Sequence, residues 1–345
     1  MNYLGVDLHK RYSYVTKTDG KGNVLEQTKV RNKEDELMNY FSNLEAETKV
    51  AMEATCNWYY FYELLEENFE VSLANPLKTK AIASARIKTD KIDSKILADL
   101  LRADLLPTSY IPTRKTRDQR EVLRLRASLV SMRVGVKNRV HAILAKLNLI
   151  PPVTDIFGKK GTVWLKELKL RDCYRQELDI YLELIEKLNE LIERVTLTIK
   201  ALAEADPRAI ILMTMPGISY YSALLILSEI GDINRFKQAS QLTSYAGLVP
   251  SVYSSGGKTH YGSIAKQGSR RLRWILVELS THAVKGSKKF EDLHIRVAAK
   301  HGKAAARVAV AREMLKVIFY MLKRGEPFMK DYSRQGNLAA ISLVS

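Results

Sequence analysis

The stretch YSYVTKTDGKGNVLEQTKV, residues 12–30, constrains the fold more than any other part of the chain. Two β-rich runs flank Asp19-Gly20-Lys21-Gly22, a turn whose glycines can take the positive φ of a tight hairpin. Before it, NYLGVDLHK reads as a short apolar strand carrying Asp7 at its end. After it, KEDELMNYFSNLE has helical spacing and TKVAMEA reads as a strand carrying Glu53 at its end. NWYYFYELLEENF reads as a helix, and EVSLANP as a strand stopped by Pro76. The order β-β-β-α-β-α-β, three sequential strands followed by alternation with helices, predicts a mixed α/β sheet.

Two long helical patterns follow. In the first, apolar residues stand at Val122, Leu125, Leu129, Met132, Val136, Val140, Ile143 and Leu147. In the second they stand at Leu178, Tyr181, Ile185, Leu188, Ile192, Val195, Ile199 and Leu202, in unbroken steps of three and four. That is a heptad seam, and it serves equally an intrachain antiparallel hairpin or a coiled-coil dimer. Pro151-Pro152 and the glycines at 158 and 161 separate the two patterns. From Asp206 onward, MTMPGISYYSALLILSEIG reads as a helix end, a Pro216-Gly217 turn and an apolar helix. This has the form of a helix-hairpin-helix, whose turn amides can approach a phosphate backbone, but Pro-Gly is also ordinary punctuation between helices. A Gly/Ser-rich loop, a basic run and another apolar helix come next, and residues 337–345 read as a frayed tail. The expected division is residues 1–108, a helical coiled-coil dimerisation region at 109–205, a mainly α carboxy-terminal domain at 206–330, and a tail at 331–345.

The charge points to a partner. There are 55 Lys and Arg against 38 Asp and Glu, a net +17, which favours polyanions. Residues 78–139 hold 16 basic and 6 acidic side chains, and residues 258–273 hold five basic ones and no acidic one. Patches of this kind neutralise phosphates and release counterions, so the expected partner is nucleic acid. No apolar run reaches the roughly 18–20 residues of a membrane span, and the first residues lack a signal-peptide pattern. The two cysteines, Cys56 and Cys173, have no metal-type spacing, so a reducing cytoplasm is expected.

Against that basic background, four carboxylates stand out. Asp7 and Glu53 close strands, and ligand sites in α/β sheets gather at strand ends. Asp90 and Asp93 sit at i and i+3 at the start of an amphipathic helix, on one side of it, flanked by Lys88, Lys91 and Lys95. If that helix lies across the sheet, the four converge. Clustered carboxylates repel one another and take up protons unless cations neutralise them. Hard oxygen ligands suit Mg²⁺ or Mn²⁺, and two such ions about 3.5–4 Å apart support phosphoryl transfer. Each residue also has a local explanation: Asp90 as a helix N-cap, Asp93 as an i,i+4 ion-pair partner, Asp7 as an acceptor for nearby amides.

The strand–hairpin–helix–strand layout with these carboxylates resembles the RuvC-like RNase H fold. More specifically, GVDLHK, AMEATCNWYY, ANPLKTKAIASARIKTDKIDSKILADLL, MPGIS and YAGLVPSVYSSGGKTHYGSIAKQGSRRLRWILVE are similar to motifs of the DEDD-type insertion-sequence transposases, the group related to the Piv DNA invertase. The resemblance runs from Tyr3 to about Pro327 and preserves the order of the motifs. It implies that Asp7, Glu53, Asp90 and Asp93 are catalytic metal ligands. It also implies a nucleophilic serine in a Tyr-x-Ser-Gly context, here Ser255, with Ser254 beside it. By the same resemblance, the carboxylates and a serine from another protomer form a composite site, a phosphoserine–DNA link is transient, and a bridge RNA pairs with donor and target DNA. The partners implied are DNA, guide RNA and further copies of the chain as a dimer or tetramer, in a bacterial cytoplasm at the nucleoid. Lys88, Lys91, Lys258, Lys266, Arg270, Arg271 and Arg273 are candidate nucleic-acid contacts or a solvated basic face.

Read from its own residues, YSSGGKTHYG is a flexible hairpin loop, and a serine hydroxyl is a poor nucleophile without a base or metal. His260 and Lys258 are near in sequence, with no evident base spacing. Two alternatives therefore stand beside the recombinase: a Holliday-junction-resolvase-like nuclease using the same carboxylates and activated water, and a non-catalytic nucleic-acid-binding protein. A tyrosine recombinase ranks low despite 17 tyrosines, because no Arg/His/Tyr constellation is evident.

Overall fold

The computed structural model describes residues 1–55, 57–83, 89–255 and 258–329, without the side chains at 252, 254–255, 258–259 and 261. It divides into two compact units, Met1–Ile111 and Pro112–Ser345.

The first unit follows the expected element order. Strands β1 (Tyr3–Leu8), β2 (Tyr12–Thr18) and β3 (Val24–Arg31) form an antiparallel meander. Helix α1 (Glu34–Ser42), strand β4 (Lys49–Glu53), helix α2 (Trp58–Leu65) and strand β5 (Glu70–Ala74) follow. The sheet order is β3-β2-β1-β4-β5, with β4 parallel to both β1 and β5. In the β2–β3 turn only Gly22 takes positive φ. The Asp19 carboxylate holds the rest by accepting from the Lys21 and Asn23 amides.

Strand alternation gives the sheet two different faces. One is apolar: Leu4, Val6, Val50, Met52 and Leu73 pack with Leu37 and Phe41 of α1 and Phe61 and Leu65 of α2. The other presents Gly5, Thr16, Ala51 and Ala74, small enough for a helix to lie close. After helix α3 (Pro76–Ile82), helix α4 (Asp90–Arg102) occupies that second face.

In the second unit, helices α5 (Arg114–Lys146) and α7 (Asp172–Glu204) pack antiparallel, with the short α6 (Lys159–Glu167) near their joined end. Val136, Val140, Ile143 and Leu144 meet Leu178, Ile185 and Leu188 at one end, and Leu123 joins Ile199 and Ala203 at the other. Arg126 donates to Thr196 and Arg133 to Asn189 along the seam. Within the single chain, the heptad seam of α7 thus packs against α5 as an antiparallel hairpin.

Helices α8 (Pro207–Met213), α9 (Tyr220–Ile230), α10 (Ala239–Tyr245), α11 (Arg270–Gly286) and α12 (Lys288–Arg324) complete this unit, α12 breaking at Gly302. α9 is buried from Ser222 to its end, as its apolar run requires. The Pro216-Gly217 turn packs on α11: a Cβ at Gly217 would lie 2.6 Å from the His282 Cβ. The region read as a flexible loop instead forms a ribbon of β6 (Pro250–Ser255) and β7 (Lys258–Ile264). Its β-branched and tyrosine residues favour strands on either side of the glycine pair. Among the described residues, no helix is long and apolar enough to cross a membrane.

Candidate metal centre

The centre is built where β1 and β4 end. Val6 stands opposite Met52 in the parallel ladder, so Asp7 and Glu53 leave adjacent strands at the same level. Alternation puts both on the face of Gly5 and Ala51, which is the face under α4. That helix is pinned tightly. A Cβ on Gly5 would collide with the Ser94 carbonyl and lie 2.6 Å from the Ala98 nitrogen. The Ser94 and Thr16 hydroxyls meet at 2.7 Å. Thr89, not Asp90, is the N-cap, accepting from the Ile92 amide. Asp90 and Asp93 both fall in the first turn, and that turn faces the end of β1.

Asp7 is only 8% exposed. Burial pushes its carboxyl above the ordinary range, Asp93 and Asp90 push it further, and His9 partly offsets them. His9 Nε2 lies 3.1 Å from Asp7 Oδ2 and 3.3 Å from Asp90 Oδ2. Ligand atoms of Asp7, His9 and Asp90 all fall within 4.8 Å of one another. The Tyr12 hydroxyl donates to Asp90 Oδ2 at 2.9 Å, which pushes the phenol up, and the Lys29 ammonium sits 3.5 Å from the Tyr12 ring centroid.

Asp7 and Asp90 are therefore together, with Asp93 near enough to act on Asp7 electrostatically. Glu53 is on the same sheet face but outside the 4.8 Å group. His9 was missed in the sequence, although it stands two residues from Asp7, the spacing that keeps side chains on one face of an extended chain. The donor set fits a divalent cation: two close carboxylates, a third acting on Asp7, and an imidazole nitrogen shielded from solvent between them.

The basic candidates are spread more widely. Lys91 is exposed beside Asp90, while Lys88 lies outside the described residues. Lys266, Arg270 and Arg271 are exposed around the start of α11. Arg273 is turned inward and donates to the Ala246 carbonyl at 2.9 Å. Ser255 and Lys258 are paired in the β6–β7 ladder, with Ser254 beside them, and all three side chains lie outside those described.

A buried aspartate on a mixed sheet is thus met by a second aspartate at the start of a helix lying on that sheet. Residues 4–149 match the DEDD family model of the IS110 type, described as a transposase. Residues 209–294 match the model described as the transposase IS116/IS110/IS902 family. The transposase for insertion sequence element IS1111A of Coxiella burnetii is 25% identical over 335 residues, covering 94% of this chain and 90% of that protein. A probable family 20 transposase of Pseudomonas aeruginosa is 26% identical, covering 94% and 97%. The pilin gene-inverting protein of Moraxella bovis is 26% identical, covering 77% and 76%. The chain belongs to the IS110/IS116/IS902 family of transposases, enzymes of DNA recombination.

Proposed function

We propose that this transposase cleaves and exchanges DNA strands with a DEDD metal centre and a serine nucleophile, guided by a bridge RNA. The observation that carries the reading is the convergence of Asp7 and Asp90, with Asp93 acting on Asp7, inside the span that matches the DEDD model. Asp7, Glu53, Asp90 and Asp93 would hold two Mg²⁺ or Mn²⁺ ions. Such ions would stabilise charge on the scissile phosphate and its leaving oxygen. The strand order β3-β2-β1-β4-β5 supports an RNase H-like reading of this unit.

Ser255 is carried by the resemblance of its Tyr-x-Ser-Gly context. Its Oγ bonds to phosphorus as the P–O3′ bond breaks, leaving a 5′-phosphoserine link; the serine proton passes by way of solvent to the departing O3′, which becomes a free 3′-hydroxyl. A 3′-hydroxyl of the exchanged strand then attacks the phosphoserine, the P–Oγ bond breaks, and the attacking hydroxyl's proton passes to the serine oxygen. Guidance by RNA and assembly as a dimer or tetramer rest on the same resemblance, and the net charge of +17 suits two nucleic-acid partners. Exposed Lys91, Lys266, Arg270 and Arg271 are the phosphate contacts favoured by position.

The test is a denaturing gel of labelled DNA after incubation with protein, guide RNA and Mg²⁺. A covalent protein–DNA band should form with the wild-type chain and vanish in Ser255→Ala, Asp7→Asn and Asp93→Ala, while Ser254→Ala keeps it. A band that survives Ser255→Ala and disappears in Ser254→Ala moves the nucleophile by one residue. Strand exchange by the double serine variant removes serine chemistry and leaves resolvase-like hydrolysis.

A further inference from the structure

We propose that His9 is a metal ligand of this centre in addition to the carboxylates, and that its imidazole biases the site toward transition ions such as Mn²⁺ over Mg²⁺. This rests on the metal reading just given. His9 Nε2 is 3.1 Å from Asp7 Oδ2 and 3.3 Å from Asp90 Oδ2. The nitrogen is shielded from solvent and faces both carboxylates at once. Neighbouring ligands on an octahedron with bonds of about 2.1 Å stand roughly 3 Å apart, so the spacing suits three donors around one cation.

The ring is placed by contacts that do not involve the carboxylates. The His9 carbonyl accepts from Asn32 Nδ2 at 2.7 Å and from Asn57 Nδ2 at 3.0 Å. Its amide donates to the Tyr12 carbonyl at 3.0 Å, and its ring rests 4.7 Å from that of Tyr12. Asn32 is itself held by the Ser13 hydroxyl. Backbone anchoring on both sides delivers the imidazole to the carboxylates as a preset donor. Mg²⁺ takes oxygen ligands and sheds water reluctantly, whereas first-row transition ions accept imidazole nitrogen.

The experiment is Mn²⁺ binding to the full chain, followed by electron paramagnetic resonance of the free ion, with Mg²⁺ as competitor. His9→Ala and the bulkier His9→Asn should weaken Mn²⁺ about 10-fold or more, the scale on which ligand-shell changes act, and weaken Mg²⁺ less. Electron spin-echo envelope modulation of bound Mn²⁺ should show a coordinated imidazole nitrogen in the wild type and none in His9→Asn. Modulation that persists in His9→Asn overturns the assignment. So does Mn²⁺ affinity that is unchanged or raised in both variants, the result expected if His9 is only a cation competing for Asp7 and Asp90. Asp90→Asn separates the two levels. If it loses Mn²⁺ while His9→Asn keeps it, His9 alone is misassigned; if the wild type binds no ion, the metal reading falls with it.

Discussion

Asp7 is the residue on which the centre's electrostatics turn. Its raised carboxyl binds a proton more tightly in the folded than in the unfolded chain. In metal-free protein this group stabilises the fold at low pH, and that contribution is lost as pH rises through the raised value. Asp7→Asn in EDTA should therefore melt at or above the wild type at pH 7, with the gap closing as pH falls toward the carboxylate range near about 4. Melting curves across pH measure this, and a clearly less stable Asn variant at pH 7 would contradict it. Gly5 sets the height of the helix above that carboxylate. Gly5→Ala should cost about 1–3 kcal/mol of stability, the range of overpacked cores, and should weaken divalent-ion binding as well. Thermal melts with ion titrations test both; a stable Ala variant with wild-type ion affinity would mean the close packing under α4 does not matter. Asp7, Asp90 and Asp93 were legible in the sequence as carboxylates at a strand end and a helix start. His9 was not, because a histidine after a strand carries no charge pattern of its own, and its meaning depends on the helix that arrives from residue 90.

Among elements, the sheet and the α5–α7 pair behaved differently under sequence reading. The placement of α4 follows from alternation, since a face of Gly5, Ala51 and Ala74 admits a helix and one of Leu4, Val6 and Met52 demands a core. The heptad pattern fixed which side of α7 is apolar but not which helix covers it, because an antiparallel neighbour and a second copy bury the same positions. α5 supplies the cover. Leu188→Asp with Ile192→Asp should therefore destabilise the chain itself, by several kcal/mol on the order expected for buried unpaired charge. Circular dichroism melts and sedimentation distinguish this from simple dissociation: a folded double variant that only changes its mass would point to an interface between copies. The β6–β7 ribbon was hidden by its glycine and serine content, which weakens the strand signal without abolishing the pairing of Tyr253 with His260.

For the whole molecule, the +17 charge predicts DNA affinity that falls steeply with salt. Arg270→Ala and Arg271→Ala should each make the slope of log affinity against log salt shallower by about 1, whereas Arg273→Ala should act chiefly on stability because its guanidinium is committed to Ala246. Fluorescence anisotropy over a salt series gives the slopes, and equal slopes for all three variants would remove the distinction. The distance along the chain between the parts of the candidate metal centre has a further effect, on timing. The hydrogen bond from Tyr12 to Asp90 spans 78 residues. At 5–20 residues per second, a ribosome needs roughly 4 to 16 seconds to travel from one to the other. Throughout that interval the nascent chain carries Asp7 and His9 without Asp90, and a product released before Asp90 is made lacks both carboxylates of the α4 turn. Under the mechanism proposed above, such a chain cannot yet cleave DNA.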